Sequence, residues 1–93
     1  MKRGDYIYIM TNKNKTTLYI GVTSDLDNRV LEHREHMDSR SFTSRYKLEY
    51  CVYFEYFNDI SQAIDRETQL KKWSRKKKEA LINEMNPDWN TLV

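Results

Sequence analysis

The chain has 93 residues, 39% of them hydrophobic, 32% charged and 13% aromatic, which supports one domain (1–93, core about 4–85, tail 86–93) and argues against disorder. Its longest apolar run, Tyr6 to Met10, is too short for a membrane span or a secretory signal, and a lone Cys51 precludes an internal disulfide, so the expected setting is cytoplasmic. The net charge of +2 is unevenly spread: residues 66–78 hold seven basic side chains against one acid, Glu67, the electrostatic footprint of a polyanion partner.

In chain order, Tyr6–Met10 and Thr17–Val22 read as strands, joined by the polar loop Thr11–Lys15, whose residues tolerate left-handed backbone. Ser24 with Asp27 resembles a capping box, opening a helix over about 25–37 with Leu26, Val30 and Met37 along one stripe. Residues 38–46 lack periodicity and read as a mobile loop. Leu48–Phe57, rich in aromatic and β-branched residues, reads as the most buried strand. Asp59 with Gln62 caps a helix to about Trp73; Ser74 restarts a short helix holding Leu81, Ile82 and Met85, and Pro87 ends it. The expected class is α+β: a three-stranded central sheet with flanking helices in the order β-β-α-β-α-α.

Strand alternation puts Ile7 and Ile9 with Leu18, Ile20 and Val22 on one face, and Tyr8 with Tyr19 on the other. Gly21 lies on the tyrosine side and leaves space beside the hydroxyls. Glu67 interrupts the apolar seam Ile60, Ala63, Glu67, Leu70, Ser74, where a carboxylate needs a cation, a proton or an opening to solvent. Two readings of it stand side by side, a divalent-metal ligand and a structural ion pair. Arg29 and His33, one helical turn apart, join a group able to stabilise phosphate charge with one able to relay a proton; in isolation such a pair is more often merely solvated. His36 reads as surface.

With Tyr6-Ile7-Tyr8, Tyr19-Ile20-Gly21, Arg29, His33 and Glu67 in this order and spacing, the chain resembles the GIY-YIG endonuclease superfamily. It is most similar to the small standalone bacterial members of the UPF0213 group. Residues 66–73, Lys76, Lys77, Asn86-Pro87 and Trp89 resemble that group's C-terminal part. The resemblance implies single-metal hydrolysis of nucleic-acid phosphodiesters, of DNA more than RNA, with weak or structure-directed specificity. Glu67 would hold Mg²⁺ or Mn²⁺, Arg29 would neutralise phosphate charge, Tyr8 or Tyr19 would activate water, and His33 would help move the proton. Arg40, Arg45, Lys71, Lys72, Arg75, Lys76, Lys77 and Lys78 would hold the backbone, and Asn86 or Asn90 would match the family's active-site asparagine. Val22-Thr23 stands where some members carry a lysine, which removes one phosphate contact. The competing readings are a nucleic-acid-binding module of the same fold with weak or no cleavage, and a purely structural adaptor.

Overall fold

A computed structural model describes residues 5–36 and 40–93. Strand β1 (Asp5–Thr11) pairs antiparallel with β2 (Leu18–Thr23) on one side and with β3 (Tyr50–Phe57) on the other, giving the order β2-β1-β3. Helices α1 (Leu26–Arg34) and α2 (Phe42–Arg45) lie between β2 and β3 in sequence; α3 (Ile60–Lys71) and α4 (Arg75–Met85) follow. Among the described residues, no helix is long and apolar enough to cross a membrane.

The class is α+β as expected, with corrections. The most buried strand is β1 rather than β3, because β1 lies at the centre of the sheet with a neighbour on each edge. Within the segment read as a loop, Ser41 caps a helical turn, its side chain accepting from the Ser44 amide. Asp25, one residue later than Ser24, caps α1 by accepting from the Asn28 amide, while Thr23 Oγ1 holds the Asp25 amide. Asp59 and Ser74 cap α3 and α4 as expected, bonding the amides of Ser61 and Lys77. His33 takes the third place on the buried stripe of α1 with Leu26 and Val30; Met37, assigned to it from the sequence, lies outside the described residues.

The β1–β2 register sets Tyr8 opposite Gly21 and Ile9 opposite Ile20. One core joins Ile7, Ile9 and Ile20 to Val52, Tyr53, Ala63, Leu70 and Ile82; the other joins Tyr8 and Met10 to Leu26, Val30, Leu48 and Cys51, with Tyr19 packed against it. The tyrosine face is therefore covered by α1 instead of lying open. In β3 the pairing slips by one residue, Ile9 opposing Tyr53 while Met10 opposes Cys51. This bulge turns Tyr53 and Glu55 onto the α3 face. There the Arg66 guanidinium donates to both Glu55 carboxylate oxygens (Nε at 3.1 and 3.3 Å, Nη2 at 3.0 Å), and the Tyr53 hydroxyl donates to Glu55.

The C-terminal residues fasten across β3. The Asn86 side-chain amide donates to the carbonyls of Val52 (3.1 Å) and Asn90 (2.7 Å), and the Leu92 amide donates to Cys51 O (2.7 Å). Arg34 donates to Glu49 O, to Thr91 Oγ1 and to the backbone oxygen of Val93.

Candidate active site

Tyr8 points from the central strand under α1 and is 1% exposed. Its ring fills the space that Gly21 leaves beside it: a Cβ built on Gly21 would lie 2.5 Å from the Tyr8 hydroxyl oxygen and 2.6 Å from Cζ. Gly21 is thus needed for Tyr8 to lie flat across the neighbouring strand.

The Tyr8 hydroxyl lies 2.9 Å from His33 Nε2, and the Arg29 guanidinium is near enough to the same oxygen to favour its ionised form. Among the described residues the Tyr8 hydroxyl has no acceptor besides Nε2, so the phenol gives its proton to the imidazole while its oxygen faces the Arg29 charge. His33 then carries its proton on Nδ1 and donates to Thr43 Oγ1 (2.9 Å), leaving the Thr43 hydroxyl to donate to Ser41 Oγ (3.1 Å). One chain of bonds runs from Tyr8 through His33 and Thr43 to the N-cap of α2, with the Arg29 charge beside its phenol end.

Burial pushes the Tyr8 phenol up to about 12, although the neighbouring Arg29 guanidinium opposes the rise. Burial and the Arg29 charge hold His33 below its usual value, so at neutral pH the imidazole is a proton acceptor. A group whose folded value is depressed binds fewer protons folded than unfolded. Folding stability should therefore be fully present above about pH 6.5 and fall as pH drops below it, by at most about 1.4 kcal/mol per pH unit from this residue. Urea titrations across that range should show the decline in the wild type and a flatter profile in His33→Gln; equal slopes would remove His33 as the source.

Tyr19, on the edge strand, is half-buried, and its ring meets those of Tyr8 (6.3 Å between centroids), His33 (5.8 Å) and Phe42 (6.1 Å). Because β2 has a free edge, side chains from both faces of the sheet reach round it. Leu18, Tyr19, Ile20 and Phe42 line an open groove of about 290 Å³ with Lys71 of α3 and Lys78 of α4.

Glu67 is not part of the Tyr8–His33 chain. Its side chain is 21% exposed and pairs with Lys71, one turn on, at 3.5 Å. Lys71 therefore turns toward the acid from the next turn of the same helix. The pair is solvated, with Lys71 more than half exposed, and is worth about 0.3–0.5 kcal/mol. The acid is thus neither locked in a dry ion pair nor in contact with the phenols, and Lys71 links it to the groove beside Tyr19.

The remaining candidates divide. Arg75 is tied down, bonding Glu79 and the carbonyls of Lys15 and Thr16, so it braces the β1–β2 loop rather than projecting to a ligand. Lys77 lies over the Trp73 ring at 4.3 Å, with Arg66 over the same ring at 5.3 Å. Lys72 and Lys76 are exposed, as are Arg40 just ahead of α2 and Arg45 in it. Asn86 is buried and occupied with Val52 and Asn90, while Asn90 supplies its backbone to that clasp; both serve the C-terminal fastening instead of meeting Tyr8 or Tyr19. His36, read as surface, is partly buried and bonds Glu49 at 2.6 Å.

The sequence reading missed Ser41, Phe42, Thr43 and Tyr46. A four-residue helix is too short to show a period, and the Ser41 cap two residues before Thr43 was the available signal.

A family model described as the GIY-YIG catalytic domain matches residues 5–80. The chain is 35% identical over 79 residues to a UPF0213 protein of Staphylococcus saprophyticus, covering 85% of this chain and 94% of that one. It is 34% identical over 79 residues to a UPF0213 protein of the archaeon Haloquadratum walsbyi, covering 85% and 86%. The solution structure of a UPF0213 protein from Bacillus halodurans superposes with a TM-score of 0.58 at 27% identity, covering 92% of this chain and 89% of that one.

Proposed function

The chain belongs to the GIY-YIG family of nuclease catalytic domains, and from that premise we propose that it is a divalent-metal-dependent endonuclease hydrolysing nucleic-acid phosphodiesters, DNA in preference to RNA. The observation that carries the reading is the Arg29–Tyr8–His33 group: a guanidinium at the surface backed by a phenol whose proton already has an acceptor. A phosphate docks on the part-exposed Arg29, and because the Tyr8 hydroxyl behind it is almost fully buried, the site must open there to admit a water. A water held there loses its proton to the Tyr8 oxygen as the phenol proton passes to His33 Nε2, and Thr43 keeps the imidazole oriented. A phenol at about 12 is a poor acid and, by itself, no route for a proton at pH 7; the hydrogen bond to neutral His33 supplies one. Arg29 offsets charge growing on the phosphate. Tyr19, at the groove with Lys71 and Lys78, positions the strand.

No cluster of three or more His, Cys, Asp or Glu suited to a metal occurs among the described residues. Glu67 nevertheless fits a magnesium- or manganese-type ion, which takes hard oxygen donors and is commonly held by one or two carboxylates plus water and substrate. Among the described residues, its partially exposed carboxylate pairs with a solvated lysine. Such an ion would supply Lewis-acid stabilisation of a leaving oxygen.

The test is cleavage of labelled DNA with Mg²⁺ or Mn²⁺. Arg29→Ala and Glu67→Ala should each slow the wild-type rate by about 10²–10³-fold while binding changes only a few-fold. If the wild type leaves every substrate intact with either ion while binding survives both substitutions, the protein is a binding module of the same fold.

A further inference from the structure

Phe42 and Tyr46 sit at the two ends of α2, each 47% exposed, with ring centroids 4.7 Å apart. Phe42 also stacks on Tyr19 at an interplanar angle of 30°. Three aromatic rings therefore run continuously from the buried phenol–imidazole pair out to solvent. Lys71 and Lys78 line the same groove as Tyr19 and Phe42, and Arg45 lies in the last turn of α2. Half-exposed rings beside cations suit a ligand that offers a flat π-face and a phosphate in one unit. In a duplex interior both faces of each base are covered by stacked neighbours, so only an unpaired or splayed nucleotide can offer one.

We infer that the Tyr19–Phe42–Tyr46 rings form a stacking platform for an unpaired base next to the scissile phosphate, so that the preferred substrate is single-stranded nucleic acid or a junction containing an unpaired segment. The inference rests on the nucleic-acid reading above and names its substrate class. Lys71 and Lys78 engage the backbone on the far wall of the groove, which fixes which strand enters and gives no base preference.

Binding is measured by fluorescence anisotropy in metal-free buffer, with an oligothymidylate, an oligouridylate and a blunt DNA duplex of equal length. Either single strand should bind at least about tenfold tighter than the duplex, since stacking supplies most of the difference. Phe42→Leu, which keeps apolar bulk but removes the ring, should weaken single-strand binding by about 5- to 150-fold, the range for losing one stacked base, and leave the duplex within about twofold. Tyr56→Leu, an exposed aromatic of β3 whose ring contacts Tyr6, is the control and should change neither. Because Phe42 is on the surface, matching thermal melts of Phe42→Leu and wild type check the fold. Equal or tighter duplex binding, unchanged single-strand binding in Phe42→Leu, or equal loss in all arms overturns the platform. The assay contains no metal, so the two readings fail separately. Strand preference without cleavage under Mg²⁺ or Mn²⁺ removes only the nuclease, and cleavage without strand preference removes only the platform. Absence of binding to all three probes overturns both.

Discussion

Gly21→Ala is expected to lower the midpoint of thermal unfolding by roughly 5–20 °C. The new methyl group would meet the Tyr8 hydroxyl oxygen at 2.5 Å and the ring carbon behind it at 2.6 Å. Tyr8 has nowhere to turn, being 1% exposed with its hydroxyl bonded to His33 under α1. Overpacking of this kind costs about 1–3 kcal/mol, and each kcal/mol moves the midpoint of a domain this size by about 4–8 °C. The sign is the decisive readout. In a strand interior free of such a contact, alanine is more stable than glycine by about 0.5–1 kcal/mol. Adding Tyr8→Phe should recover only part of the loss, because it removes the nearest atom and leaves Cζ at 2.6 Å. A Gly21→Ala protein that melts at or above the wild-type temperature would mean that the ring does not lie across the strand as described.

Tyr8→Phe and His33→Gln should each slow single-turnover cleavage by about 10²–10⁴-fold, the usual range for a proton-transferring group. The double variant should be no slower than the slower single one. The two side chains share one hydrogen bond at 2.9 Å and pass one proton, and groups acting as a unit are not additive when removed together. The wild-type rate should fall with acidification only once pH drops through the His33 value, which burial and Arg29 hold below about 6.5. This acid limb should vanish in His33→Gln. Multiplicative losses in the double variant, or an acid limb that survives without His33, would separate the imidazole from the phenol's proton.

Much of this arrangement was legible in the chain. Strand alternation correctly separated Ile7, Ile9 and Ile20 from Tyr8 and Tyr19, and the spacing of Arg29 and His33 correctly put both on one side of α1. Asp59 and Ser74 were readable as caps because capping involves residues two or three apart. The cap of α1 was misplaced on Ser24, since adjacent Ser and Asp side chains can both cap, and it is Asp25, its amide held by the Thr23 hydroxyl, that does so. β3 looked the most buried because composition reports apolar content and not the number of neighbouring strands. The bulge that turns Tyr53 and Glu55 toward Arg66 likewise left no local mark.

The sequence by itself determined which side chains share a face, because strand and helix periods follow from backbone geometry over a few residues. Only the tertiary structure decided which of those faces meet. Tyr8 reaches His33 across 25 residues, Arg75 braces the Lys15 carbonyl across 60, and the edge position of β2 opens the groove that Lys71 and Lys78 enter from the opposite side of the sheet. Such partnerships arise from strand order and close packing, whose contacts are specified by shape across the whole chain and by no short window of it.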